Sequence, residues 1–188
     1  KWAGIIFSRK TDSNACILQY VSIENAQIGI SCQLASPQIT SSQINNCHQH
    51  AISMLSSTPT ISGNSFSIHK GDTIIHIDSS KADISRNSFE LQSWQTAIRL
   101  IKSDSRISSN HFNGGKTAIS FRQAMPQIER NHISHCTIGI YADQSTPIIR
   151  RNQFFSTQTA ISIWNCDEVA IDKNIIEQSK HGIYHKNS

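Results

Sequence analysis

One two-residue element constrains this chain more than any other feature. A small residue followed by isoleucine recurs as Gly4-Ile5, Gly29-Ile30, Ala51-Ile52, Ala97-Ile98, Ala118-Ile119, Gly139-Ile140, Ala160-Ile161 and Gly182-Ile183, with Ile74-Ile75 as a variant copy. Successive isoleucines lie 25, 22, 23, 23, 21, 21, 21 and 22 residues apart. A repeat in the range of roughly 20 to 50 residues means a stacked array, in which each unit buries its apolar face only against its neighbours.

The rest of the unit is equally regular. Residues 147–154 read Pro-Ile-Ile-Arg-Arg-Asn-Gln-Phe, and Asn152 has counterparts at Asn64, Asn87, Asn110, Asn131 and Asn174. Ser42 and Val21 hold that position in earlier copies. Apolar residues alternate with polar ones on either side of the asparagine, the period of two that marks strands. No unit carries the longer 3.6-residue periodicity of a helix, so the helical repeat families are excluded. The pattern predicts an all-β, single-stranded right-handed parallel β-helix of about eight coils of 21–25 residues, with three short strands per coil and coils about 4.8 Å apart.

Three apolar columns form the expected core. One is Ile39, Ile61, Ile84, Ile107, Ile128, Ile149 and Ile171; a second is Ile44, Phe66, Phe89, Phe112, Ile133, Phe154 and Ile176; the third runs from Ile30 to Ile183. The asparagine column is expected to stack as a ladder of side-chain amides. It is also expected to supply the left-handed residue at a tight bend, a conformation asparagine tolerates better than most residues.

Composition fits a narrow core. Only 37% of the 188 residues are hydrophobic, which would suggest disorder were the isoleucines not so strictly placed. The formal net charge is +4, with no Lys/Arg run or basic-aromatic motif of the kind that binds nucleic acid. No apolar stretch approaches the roughly 20 residues of a membrane-spanning helix. Cys16, Cys32, Cys47, Cys136 and Cys166 form no paired motif and are expected as small buried hydrophobes. Cys47 and Cys136 share one repeat position with Gly115, Thr157 and Ser179. The chain starts at Lys1 without Met or signal peptide, which reads as a domain, residues 1–188, cut from a longer protein. Neither end carries a helical cap, so flanking domains or end-to-end association are expected.

The Pro-x-Ile-x-x-Asn-x-[Ile/Phe] unit with its following [Gly/Ala]-Ile resembles the right-handed parallel β-helix repeats of the pectin-lyase-like superfamily. It is most similar to the NosD-like, carbohydrate-binding-and-sugar-hydrolase repeat group. The resemblance implies secreted or periplasmic bacterial proteins that bind or process polysaccharide, with some cytoplasmic adaptor domains. It implies the fold more strongly than any activity.

Function must then lie on outward positions. The residue after the repeat isoleucine includes His76, Arg99 and Tyr141, and the residue three after it includes Asp78, Arg122, Asp143 and Trp164. All seven are expected on one sheet face, where aromatic plates and guanidinium forks suit a polysaccharide ligand. Asp143 with Arg122 also reads as a simple ion pair, and Asp78 with Arg99 as a reduced lyase site. Asp78 and Asp143 lie three rungs apart, roughly 14 Å at the strand spacing, beyond the separation that glycoside hydrolysis uses. The lyase calcium-site aspartates and the epimerase motif implied by the resemblance are missing. A basic column, Arg86, Arg130, Arg151 and Lys173, precedes the asparagines beside Glu129, Arg150 and Asp172, and reads as a solvated charge ladder. His48 and His50 are placed on one strand side and His111 and His132 on neighbouring rungs; neither pair makes a defined metal site. No metal or other cofactor is expected. The sequence thus points to a non-catalytic polysaccharide-binding or scaffold domain. A lyase or hydrolase completed by residues elsewhere, and a cytoplasmic protein-interaction solenoid, stay open.

Overall fold

The computed structural model describes residues 2–9, 16–67 and 69–187. Lys1 and Ser188, which belong to the expected terminal segments, lie outside the described residues. Within them every strand pairs in parallel with strands one coil away, giving a nine-stranded sheet and two eight-stranded sheets. The nine-stranded sheet is built from the longest strands, such as Thr96–Ile101, Thr117–Arg122 and Ile138–Asp143. The other two sheets use mostly three-residue strands, such as Gln127–Glu129 and His132–Ser134. This is the all-β solenoid that the repeat predicts.

The register follows from the isoleucines. Ile75 pairs with Ile98, Ile98 with Ile119, Ile119 with Ile140 and Ile140 with Ile161, so like residues superpose along the axis. A slip by one residue would turn each of these side chains out to solvent. The Ile39-to-Ile171 column behaves alike, with Ile84 on Ile107 and Ile107 on Ile128. In the Ile44-to-Ile176 column, the rings of Phe66, Phe89 and Phe112 stack at 4.8 Å with interplanar angles of 12° and 10°. These residues are fully or almost fully buried.

The small residue before each repeat isoleucine has a steric cause. A Cβ added at Gly139 would meet the carbonyl oxygen of Ala160 at 2.5 Å and the ring of Phe154 at 2.8 Å. The chain turns this position inward, and at Gly139 the Ala160 carbonyl and the Phe154 ring leave no room for a Cβ unless they shift.

The asparagines sit side by side at one corner, and each is bonded on both sides. Asn87 Oδ1 accepts the backbone N–H and the Nδ2 of Asn64 at 2.9 and 3.1 Å, while Asn87 Nδ2 donates to the Ile61 carbonyl at 2.9 Å. The same three bonds recur at Asn110, Asn131, Asn152 and Asn174. One expectation needs correcting. The left-handed residue is not the asparagine but its predecessor, at Tyr20, Ser41, Gly63, Arg86, Ser109, Arg130, Arg151 and Lys173. The asparagine side chain must point inward to reach its neighbour, so the outward-facing residue before it takes the positive φ that turns the chain. Two further columns of positive φ mark the other corners: Asn25, Asn46, His135, Ser156 and Gln178, and then Leu34, Ser56, Ser79, Lys102, Gln123, Gln144 and Asn165.

At the third corner hydroxyls play the part of the asparagines. Ser57 Oγ accepts the Ala35 N–H, Ser80 Oγ that of Ser57, and Ser145 Oγ that of Ala124, at 3.0 to 3.3 Å. The narrow cross-section thus satisfies its buried backbone through side chains from the adjoining coil.

Candidate functional site

The outer face of the nine-stranded sheet carries the expected residues in register. His76, Arg99, Ser120, Tyr141 and Ser162 form one row, and Asp78, Ile101, Arg122, Asp143 and Trp164 the next. Of the seven expected residues, Arg99 and Tyr141 line one cleft.

Arg99 and Tyr141 line a cleft of about 380 Å3 together with Asp72, Trp94, Lys116, Thr96, Thr117, Ser120 and Ile138. Trp94 is 56% exposed, an unusual state for so large an apolar surface. Its position is set by Gln95, which is fully buried and donates through Nε2 to the carbonyls of His69 and Gly71 at 2.8 and 3.0 Å. Gln95 Oε1 also accepts the Gln92 N–H at 2.9 Å. This turn, closed by the Gln95 N–H on the Gln92 carbonyl at 2.9 Å, presents the indole of Trp94 outward. Asp72 and Lys116 enter from the loops that lead into the strands Thr73–Asp78 and Thr117–Arg122.

Arg99 Nη1 lies 3.6 Å from Asp72 Oδ2, with both side chains well exposed. Such a pair contributes about 1 kcal/mol at most and leaves the guanidinium able to take another partner. Arg99 therefore engages Asp72 and not Asp78, whose carboxylate accepts the Ser79 hydroxyl at 2.8 Å. The Asp78–Arg99 pairing considered from sequence does not form.

The remaining expected residues stand apart from the cleft lining. His76 stacks on His50 with ring centroids 5.3 Å apart. Burial, then the neighbouring His50 and Arg99 charges, lower the His76 pKa below its ordinary value, so the ring is neutral at pH 7. Arg122 Nε lies 3.4 Å from Asp143 Oδ2 and donates to Gln144 Oε1 at 3.2 Å, as the ion-pair reading expects. Trp164 donates to Ser162 Oγ at 2.9 Å, tilts against Tyr184 at 5.6 Å and lies under the Lys186 ammonium at 5.3 Å. Tyr141 has its pKa raised by burial and then by Asp143, so its phenol remains protonated and able to donate.

The cleft offers an indole face, a phenol and two cations, but one carboxylate, Asp72, where glycoside hydrolysis needs two. Burial pushes the thiols of Cys32 and Cys136 up to about 12 and that of Cys47 up to about 11, leaving them protonated and unreactive. Among the described residues no three His, Cys, Asp or Glu side chains come together as metal ligands. His48 lies in the bend before the strand His50–Leu55, so the shared strand side expected for it and His50 is not formed. Among the described residues no helix is long and apolar enough to cross a membrane.

Asp72, Trp94 and Lys116 escape a reading based on strand columns, because they sit in loops. A signal was nonetheless present. The two coils that contain residues 68–72 and 92–95 have the longer spacing of 23 residues, against 21 in the coils that follow.

The family model described as right handed beta helix region matches residues 73–188. The coils before residue 73 continue the same three sheets in the same register. No curated protein matches the chain.

Proposed function

The chain belongs to the right-handed β-helix family, and from that premise we propose that it is a non-catalytic polysaccharide-binding or scaffold domain of a secreted or cell-envelope protein. One observation carries the reading: an exposed indole, Trp94, opens onto a cleft that also holds Arg99, Lys116 and Tyr141. Sugar rings offer an apolar C–H face to an aromatic plate and hydroxyl or carboxylate oxygens to charged donors. A cleft with an aromatic wall and a few convergent polar groups is the usual form of such a site. The flat β-sheet below it holds Arg99 and Tyr141 on rigid strands, so little ordering is needed on binding.

Calorimetry with neutral and uronate oligosaccharides tests the proposal. Trp94→Ala and Arg99→Ala are each expected to weaken binding about tenfold, the loss of one anchoring contact worth about 1.4 kcal/mol. Trp164→Ala, whose ring is already engaged by Tyr184 and Lys186, is expected to have a smaller effect. Absence of binding across the set overturns the proposal. New absorbance from unsaturated uronate products would replace it with a lyase.

A further inference from the structure

A second charged surface lies away from the cleft, along the asparagine corner between the two short-strand sheets. Arg86, Arg106, Arg130, Arg150, Arg151 and Lys173 are all exposed there. Against them stand Asp83, Glu129 and Asp172, so the corner and the sheet that leads into it carry a net +3, while the sheet beyond the corner carries Glu24, Glu90 and Glu177.

The distribution within the patch is uneven. Glu129 is only 3% exposed although it stands on the outer face, because arginines cover it. Arg106 Nη2 reaches its Oε1 at 2.7 Å, Arg150 Nε its Oε2 at 3.1 Å, and Arg130 Nη1 lies 3.8 Å from Oε2. One carboxylate thus faces three guanidiniums, each of which has several N–H donors. Two of the three positive charges remain uncompensated, and the shared carboxylate fixes where they sit.

Arg130, Arg151 and Lys173 add a second order. They occupy the same left-handed corner position on three successive coils, so their side chains leave the backbone at intervals of about 4.8 Å. Lys173 Nζ lies 3.7 Å from Asp172 Oδ2, but both side chains are well exposed, so this pair is weak and exchangeable. A row of cations at that interval suits a linear polymer with regularly spaced oxyanions. It matches a compact anion or an uncharged chain much less well.

We propose that this corner is a binding surface for an acidic polysaccharide, with carboxylate or sulfate groups engaged by Arg130, Arg151 and Lys173 and by Arg106 and Arg150, which share Glu129 with Arg130. The surface is separate from the Trp94 cleft and acts through charge, whereas the cleft acts through an aromatic wall. Its affinity must therefore fall steeply with salt.

The test is made in the full chain with Trp94→Ala present, which removes the aromatic wall of the cleft. Polygalacturonate supplies carboxylates, dextran sulfate supplies sulfates, and dextran is the uncharged control. The variant Arg130→Gln/Arg151→Gln/Lys173→Gln is expected to lose at least tenfold in affinity for a charged polymer, with a shallower salt dependence. Gln123, Gln144 and Gln178 already adopt the same positive φ at other corners, so the substitutions suit the backbone. Should the triple variant not fold, Arg130→Asn and Arg151→Asn singly are expected to lose severalfold each. The variant Lys70→Gln/Lys102→Gln/Lys180→Gln, which removes equal charge elsewhere, is expected to lose less than twofold. Equal losses in the two triple variants would show diffuse attraction and overturn the proposal. So would unchanged binding in the corner variant, or equally tight binding of dextran.

Discussion

Asn110 and Asn131 share a doubly used oxygen: Asn131 Oδ1 accepts the backbone N–H of Asn110 at 2.9 Å and its Nδ2 at 3.0 Å. Asn110 Nδ2 also donates to the Ile84 carbonyl at 2.9 Å. Replacing Asn110 by Ala would strip the acceptor from Asn87 and the donor from Ile84, both buried. Each orphaned group costs about 1–3 kcal/mol, so Asn110→Ala is expected to lose about 3–5 kcal/mol in urea denaturation. Asn110→Ser should lose less, because Ser42 fills the same column by accepting the Val21 N–H at 3.2 Å.

The corner columns make an opposite prediction. Ser109 holds φ at 56°, a conformation that costs a residue with a Cβ about 1–2 kcal/mol. Glycine escapes that cost but gains about 0.5–1 kcal/mol of unfolded-state freedom. Ser109→Gly is thus expected to raise stability by up to about 1 kcal/mol, and Gly63→Val at the equivalent position to lower it by more. Thermal melts of the two variants check both signs.

His69 provides the acid-sensitive point. It is buried, its Nδ1 accepts the Cys47 N–H at 3.3 Å, and burial pushes its pKa down from 6.5 to about 4. The unfolded chain then binds the proton more readily than the folded one between those values. Its contribution is full above about pH 6.5 and falls, by up to about 3 kcal/mol, as the pH drops to about 4. In His69→Thr, with the residue Thr157 supplies at the same repeat position, this part of the pH slope is expected to vanish whatever the absolute stability. Denaturant midpoints between pH 4 and 7 measure it.

Glu129 acts lower on the scale. Burial alone would raise its pKa, but hydrogen bonds and charge from Arg106 and Arg150 outweigh burial and hold it below the ordinary value. Its contribution is present above the unfolded pKa of about 4.3 and disappears as the pH falls through the lower folded value. The arginines are about half exposed, so screening keeps the effect near 1 kcal/mol. Glu129→Gln should remove it, and added salt should weaken it in the native chain.

The core was legible because its signal is redundant. Each column repeats large apolar residues at nearly fixed spacing, and the alternation of Ile107, Ile128 and Ile149 with polar neighbours states which side faces in. The bends were harder to assign. Tyr20, Ser41, Gly63 and Arg86 share a backbone conformation but no side-chain chemistry, whereas the asparagines beside them are alike because their side chains bond to one another. The cleft was half visible for a related reason. Arg99 and Tyr141 lie on strands and follow the period, but Trp94 is placed by the buried amide of Gln95 in a loop outside it. The concealment of Glu129 was not legible, since it depends on how arginines of three coils fold over one carboxylate.

The superposition of like on like also makes the layers interchangeable. Excision of the 21 residues from Ile119 to Gly139 would bring Ile140 onto Ile98, a phenylalanine onto a phenylalanine and an asparagine onto an asparagine. The isoleucine, phenylalanine and asparagine columns would each close up by one member. Such a molecule can be shortened or extended by whole layers, and the distance between two marks on its surface is then set by counting.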